Sequence, residues 1–233
     1  MPVSTRQLLV LASALFTLNA GCGQIHIPIS FALSGDNSIT IEDPFFPPGK
    51  NVFTTILVGG ADSTITIDLN PVQLFKPQGL AALISLDKVR IAGTDINLFG
   101  LHTGTLCIYD DVDNPGGGIA YLRPLHSEAD FDIAFNTLIS LTNPQVLALF
   151  PDPLPFQAEI NTTTTVTLAD LFGLLAGNTG SGLELSQQIE TTLPDDIPFF
   201  GGSTVTANLT LATADAIPSD PMLDECEAFL AGL

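Results

Sequence analysis

The chain has 233 residues; 45% are hydrophobic and 13% are charged, so it is expected to bury a substantial core rather than to be disordered. Six basic residues stand against 25 acidic ones, which gives a net charge of −19. This imbalance excludes nucleic acid as a partner, because a phosphate backbone is bound by clustered Lys and Arg. It also disfavours charge-driven adsorption to anionic lipid head groups.

The first 21 residues have the pattern of an export signal. Arg6 is followed by the apolar run LLVLASALFTL at residues 8–18. A membrane-spanning helix needs about 20 apolar residues, so this run is too short to cross a bilayer. A charged start, a short apolar run and a small-residue exit are typical of a cleaved signal peptide.

The junction L-N-A-G-C at residues 18–22 resembles the lipobox of bacterial lipoproteins, with Ala20 and Gly21 at matching positions. The resemblance implies that the chain is cut before Cys22 and that the Cys22 thiol carries a lipid anchor. The remaining length is enough for one large all-β domain or two small ones, and we expect residues 22–233 to form a single β-rich exported domain. Gly23 replaces the aspartate that retains enteric lipoproteins at the inner membrane, which implies the outer membrane. The alternative is an ordinary signal peptide cut nearby, with Cys22 as a spare thiol.

Alternating apolar and polar residues predict antiparallel strands after the signal. The apolar residues fall at odd positions from 129 to 141 and mostly at even positions from 156 to 168. Period two is typical of a strand with one buried and one solvent-exposed face. The same alternation occurs at 25–33, 65–69, 183–193 and 205–211. The sequence therefore predicts a mainly β domain, either an antiparallel β-sandwich or a curved sheet with a few short helices.

Three segments predict the short helices. Residues 77–86 (PQGLAALISL) and 168–177 (LADLFGLLAG) each supply about two turns of apolar residues. The C-terminal segment has clearer signals, because Ser219 or Asp220 provides an N-cap and Pro221 suits the first turn. This last helix would turn Cys226 inward.

Cys107 and Cys226 are predicted to form a disulfide. If Cys22 carries lipid, these two remain as an even pair in an oxidising compartment, where a disulfide persists. Closing so long a loop would contribute up to roughly 4–5 kcal/mol in the chain-entropy account. The alternative is two buried free cysteines.

Two similar segments carry pairs of phenylalanines, IEDPFFPPG at 41–49 and DDIPFFGG at 195–202. Prolines on both sides hold the first pair extended, so at most one of its two rings can turn easily toward a core. We hypothesise that the four rings line the mouth of an apolar cavity; they are Phe45, Phe46, Phe199 and Phe200. The alternative is that they plug the ends of a packed core.

The most polar segment is YDDVDNPGGG at residues 109–118. It crowds four side chains with oxygen donors into five positions: Asp110, Asp111, Asp113 and Asn114. Calcium takes six to eight oxygen ligands, so calcium binding is one interpretation, and a solvated turn between two strands is the other.

Signatures of catalysis are missing from the sequence. His26, His102 and His126 are too scattered for a zinc signature, and no serine lies in a G-x-S-x-G elbow. We therefore expect a protein that is not an enzyme and has no cofactor other than, in one interpretation, calcium. Three hypotheses follow: a lipid-anchored envelope protein with a structural or partner-binding role, a carrier of apolar ligands such as lipid in a β-enclosed cavity, and a calcium-dependent adhesion module.

Overall fold

The computed structural model describes residues 24–68, 76–98, 100–123, 125–148, 153–167, 169–170, 173, 183–193, 195 and 200–232. Within them, the strands and helices occupy the following ranges: β1 Gln24–Leu33, β2 Ser38–Glu42, β3 Val52–Asp68, β4 Leu80–Gly93, β5 Asn97–Leu98, β6 Leu101–His102, β7 Leu106–Asp110, β8 Gly117–Arg123, β9 Glu128–Leu141, α1 Pro144–Leu147, β10 Leu154–Thr164, β11 Glu184–Thr192, β12 Thr204–Ala214 and α2 Pro221–Leu230. The prediction of a mainly β, antiparallel domain with a C-terminal helix is confirmed.

In two places, two consecutive strands lie end to end in the same row of the sheet and share the same two neighbouring strands; we call such a row a path. β1 and β2 both pair antiparallel with β3 and with β12. In the same way β7 and β8 both lie between β4 and β9. The sheet is therefore an up-and-down meander of eight paths in which the last strand, β12, pairs with the first path. We call it the rolled sheet.

The junction between β10 and β11 differs from the other junctions of the rolled sheet. No backbone hydrogen bond between these two strands is present among the described residues. Side chains connect them instead, since the Asn161 N–H donates to Gln187 Oε1 at 2.6 Å and Thr164 Oγ1 donates to the Glu184 carbonyl at 3.1 Å. The roll is thus closed by backbone pairing everywhere except at this junction.

The predicted alternation in β9 and β10 is confirmed. Ala129, Phe131 and Ile133 of β9 are buried, as are Ala158 and Ile160 of β10. Their side chains join one apolar cluster inside the roll to which β1, β3, β4, β11 and β12 also contribute. β10 ends at Thr164, earlier than the pattern indicated, although Val166 is still buried.

The predicted helix at 77–86 is wrong, because residues 80–93 form strand β4. The outward positions hold Ala81 and Leu83, and Leu83 is half-exposed, so apolar residues on both faces hid the alternation. A β-bulge at Asp87 also breaks the alternation, because the buried residue that follows Leu86 is Val89 and not the residue two positions on. Of the other predicted helix, residues 169–170 and 173 are helical and the rest lies outside the described residues.

The C-terminal helix α2 forms as predicted. Asp220 is its N-cap, and its side chain accepts a hydrogen bond from the Met222 N–H at 2.9 Å. Leu223 and Cys226 are buried against Ala92 and Cys107, which point out of the roll. The helix therefore packs on the outer face of β4 and β7 rather than inside the curved sheet.

Candidate functional site

Four connections lie at one end of the rolled sheet because the strands alternate in direction. They join β2 to β3, β4 to β7, β9 to β10 and β11 to β12. We call this the loop end. The chain enters the sheet at the opposite end, where β1 begins at Gln24.

A cavity of about 290 Å³ opens at the loop end, between the rolled sheet and these connections. The sheet contributes aliphatic side chains such as Ile39, Ile41, Leu106, Ile139 and Val205. The connections contribute Ile96, Leu98, Leu147, Leu193 and Phe200. An apolar cavity of about 150 Å³ stays dry and binds benzene, so a cavity about twice as large has room for a small apolar molecule.

Two of the four predicted phenylalanines reach this end of the core. The Phe46 and Phe53 ring centroids lie 6.0 Å apart at 81°, and those of Phe53 and Phe200 lie 5.8 Å apart at 83°. These edge-to-face contacts hold the β2–β3 and β11–β12 connections against each other. Phe200 lines the cavity, whereas Phe45 is 81% exposed at the surface. Phe199 lies outside the described residues.

One ring of the first pair, Phe46, packs against Phe53, which agrees with the prediction that at most one of the two could turn toward a core. A buried carboxylate shapes the turn, since Asp43 Oδ1 accepts from the Phe45 N–H at 2.8 Å and the Asp43 N–H donates to the Asn51 carbonyl at 2.9 Å. The turn thereby directs Phe46 to the core and Phe45 to solvent.

The β5–β6 hairpin covers part of the cavity and is held at its base by Asp95. The Asp95 carboxylate contacts His102 Nδ1, accepts from the Gly104 N–H at 2.9 Å and accepts from Thr103 Oγ1 at 3.3 Å. Partial burial alone would raise the pKa of Asp95, but the hydrogen bonds from His102 and Gly104 outweigh it and leave the pKa below its ordinary value. With this base fixed, Ile96 and Leu98 are held against the cavity.

A second cavity, of about 270 Å³, lies on the outer face between α2 and strands β4 and β7. We call it the helix cleft. Cys107 and Cys226 meet there as a disulfide, with Cα atoms 5.5 Å apart, so the predicted pair is bonded in the structure. Glu225 accepts from Thr105 Oγ1 at 2.7 Å on one side of the disulfide, and Glu227 lies 3.2 Å from Lys88 Nζ on the other.

Glu227 is the acidic centre of this cleft. Arg90 Nη1 lies 3.4 Å from Glu227 Oε1, and Arg90 Nη2 lies 2.9 Å from Asp62 Oδ2. The hydrogen bond and charge of Lys88, together with Arg90, hold the pKa of Glu227 below its ordinary value. These contacts attach α2 to the sheet.

The four side chains of the calcium hypothesis are not brought together as a metal site. Asp110 Oδ1 accepts from the Val89 N–H at 3.3 Å, and Asp111 Oδ1 accepts from the Asp113 N–H at 3.1 Å. Asp113 and Asn114 are exposed in the turn between β7 and β8. The described ranges contain no group of three His, Cys, Asp or Glu side chains arranged to hold a metal ion. The segment has the hydrogen bonds of a solvated turn.

Cys22 and the rest of the proposed signal lie outside the described residues. β1 starts two residues after Cys22, at the end of the roll opposite the cavity. None of the helices in the described part of the chain has the length and apolarity needed to cross a bilayer.

The β5–β6 hairpin and α1 were missed by the sequence analysis, although both line the cavity. The stretch DINLFGLHTG at 95–104 does carry a signal, because apolar Ile96, Leu98 and Leu101 stand between polar residues and glycines. A short hairpin with an apolar side is consistent with that pattern.

The chain was also compared with known proteins. No family model matches it, and neither a curated protein nor a solved structure shows significant similarity to it.

Proposed function

We propose that this protein is an exported, lipid-anchored binder of a small apolar ligand, and that it is not an enzyme. The observation that carries the proposal is the cavity of about 290 Å³ at the loop end, with its aliphatic and aromatic lining. Pockets that bind small molecules are concave, largely apolar and about 300 Å³ or larger, so this one lies at the small end of that class.

The apolar walls of the cavity support a binding role. Because the cavity opens at the loop end, these walls are in contact with solvent, and a ligand that covers them gains about 25 cal/mol for each Å² of apolar surface removed from water. Deeper in the roll, the space between Ile91, Ile108 and Phe135 has a volume of about 30 Å³, so the large space at the loop end is a local feature.

The sequence supports the envelope location. The junction before Cys22 resembles a lipobox, and the bond between Cys107 and Cys226 is consistent with an oxidising compartment. An anchor at Cys22 would tether the end of the roll where β1 begins. The cavity would then face away from the anchoring membrane.

Fluorescence of 1-aminonaphthalene tests the binding proposal, because its emission rises and shifts to the blue in apolar surroundings. We expect the exported protein to bind this neutral probe at a single saturable site. Ile41→Trp should fill part of the cavity and weaken probe binding roughly tenfold, equivalent to about 1.4 kcal/mol. Ile41 pairs with Phe53 and Val205 and lines the cavity, so the added indole enters the same space.

Ile56→Trp is the matched control, because Ile56 lies on the outer face of β3 and is more than half exposed. It should leave probe binding unchanged. Absence of saturable binding by the wild-type protein would overturn the ligand proposal and leave a structural or partner-binding role.

Mass spectrometry of the mature N-terminus tests the anchor, since Cys22→Ala should abolish both acylation and partition into the detergent phase.

A further inference from the structure

The chemistry of the cavity lining specifies what kind of ligand it accepts. Among the residues that the structure describes, the cavity lining includes no charged side chain, and its polar side chains are Thr103 and Ser140. Both of these are engaged elsewhere. Thr103 Oγ1 accepts from the Ile96 N–H at 2.8 Å, and its one hydroxyl proton is shared between the Gly104 carbonyl at 3.0 Å and Asp95 Oδ1 at 3.3 Å. Ser140 Oγ lies 3.2 Å from the Tyr109 hydroxyl.

A ligand with a charged head group would therefore lose hydration without gaining a partner inside the cavity. Burial of an ionised carboxylate without a counter-charge or hydrogen bonds is strongly unfavourable. A ligand without a charge has no such loss, and burial of its apolar surface favours binding.

The described rim of the cavity carries more acidic than basic residues. The described connections at the loop end carry the acidic residues Asp43, Asp95 and Asp195, and Lys50 and His102 are their basic residues. His102 is already in contact with Asp95. With a net charge of −19 on the whole chain, the surrounding potential also repels anions.

Other basic side chains lie away from the cavity. Lys88 and Arg90 are on the outer face, where they contact Glu227. Arg123 contacts Asp130 at the opposite end of the roll, next to the start of β9. Neither group faces the lining.

The cavity volume sets the size of the ligand. Benzene, with six heavy atoms, fills a cavity of about 150 Å³, so 290 Å³ has room for about 12 heavy atoms. A two-chain phospholipid is far larger than this. A single chain of about ten carbons, or two fused rings, matches the space.

We infer that the cavity prefers an uncharged, apolar molecule of about 12 heavy atoms, such as a medium-chain alcohol or a two-ring hydrocarbon, to a fatty acid of the same length or a two-chain phospholipid. This inference rests on the proposed ligand-binding function and narrows it to one ligand class.

Displacement of 1-aminonaphthalene from the wild-type protein at pH 8 tests the inference. The competitors are 1-decanol and decanoate, which have the same chain length and differ in head-group charge. We expect 1-decanol to displace the probe at a concentration at least about tenfold lower than decanoate requires, a difference of about 1.4 kcal/mol or more in binding free energy. Equal displacement by decanoate would overturn the inference and leave the proposed function standing. A wild-type protein that does not bind the probe at all would overturn the function itself.

A charge placed in the cavity gives a second measurement. Leu98 is partly buried in the β5–β6 hairpin and lines the cavity, so Leu98→Lys adds a cation at the mouth. We expect decanoate to gain at least about tenfold in potency on this variant, because its carboxylate then has a partner. Ile56→Lys on the outer face is the control and should not change the relative potency of decanoate and 1-decanol.

If decanoate is no more potent on a folded Leu98→Lys variant than on the wild-type protein, the assignment of Leu98 to the cavity lining is wrong. Circular dichroism establishes that the variant is folded. If Leu98→Lys does not fold, the wild-type comparison of decanol with decanoate decides the question by itself.

Discussion

The cavity at the loop end and the helix cleft have almost the same volume, about 290 and 270 Å³, but charged side chains border the helix cleft alone among the described residues. Lys88, Arg90, Asp110 and Glu227 border the helix cleft, and its cysteines are bonded to each other. The described lining of the cavity is aliphatic and aromatic and includes no charged side chain. Volume alone therefore does not identify a ligand site in this protein.

The contacts around each space explain this difference. In the helix cleft, ion pairs and the disulfide join the two walls, so its polar groups serve to attach α2 to the sheet. At the loop end the Phe46, Phe53 and Phe200 rings and the Asp95 hydrogen bonds join the connections to one another around the rim. The apolar surface inside that rim is the proposed ligand site.

Loss of the disulfide should have the largest effect and should separate the two regions. The bond spans 119 residues, so the double variant Cys107→Ala, Cys226→Ala should lose up to about 5 kcal/mol of unfolding free energy. Urea denaturation measures the loss. Binding of 1-aminonaphthalene at a temperature well below melting should be unchanged, because neither cysteine lines the cavity.

The reduced wild-type protein is the control for this variant and should show a similar loss of stability. A folded double variant that no longer binds the probe would show that the cleft and the cavity are coupled. A loss of stability below about 1 kcal/mol would contradict the proposed role of the bond.

The hairpin over the cavity should show a smaller, pH-dependent effect. Asp95→Asn keeps the shape of the side chain and removes its charge, and should cost about 1 kcal/mol or less because the carboxylate is partly exposed. Probe binding should weaken a few-fold, since Ile96 and Leu98 are no longer held as firmly against the cavity.

The sign of the pH effect follows from the direction of the pKa shift. The pKa of Asp95 is lowered in the folded protein, so its contribution to stability is complete above the unfolded pKa, about 4, and is lost as the pH falls through the lower folded pKa. Thermal melting between about pH 6 and pH 3 should therefore show a steeper decline for wild type than for Asp95→Asn. Parallel curves would contradict the role assigned to Asp95.

The surface ion pairs in the helix cleft should contribute least. Glu227 and Lys88 are each about half exposed, so Glu227→Gln should cost no more than about 1 kcal/mol. The pKa of Glu227 is also lowered on folding, so this small contribution should disappear on acidification and shrink in high salt. Glu225→Gln, which removes a charge from the same helix without breaking an ion pair to Lys88 or Arg90, is the control. Equal salt dependence of the stability of the two variants would contradict the assignment of these ion pairs to Glu227.

Comparison of β9 with β4 shows how much of the fold could be predicted. In β9 the outward positions are mostly polar, with Asp130, Asp132 and Asn136, so the inward face could be identified from the sequence. In β4 the outward Leu83 is apolar and the bulge at Asp87 interrupts the alternation. The sequence therefore lacked the period-two pattern of a strand, and a helix was predicted. Local pattern succeeds where the two faces differ in polarity and fails where they do not.

The candidate site was predictable only in part. The repeated Pro-Phe-Phe segments indicated an aromatic rim, and Phe46 and Phe200 do lie in one aromatic cluster. Phe53, which lies between their rings, belongs to β3 and carried no sequence signal of its own. The hairpin and α1 were missed because each is too short to show a clear period.

The sequence by itself determined the mainly β character, the C-terminal helix with its cap, the strongly acidic net charge, and the pairing of Cys107 with Cys226. Only the tertiary structure decided that four distant connections meet at one end and leave a cavity there. The physical reason is that alternation along a strand specifies which side chains point inward. Whether those side chains fill the interior depends on how far the sheet curls and where its last strand meets its first.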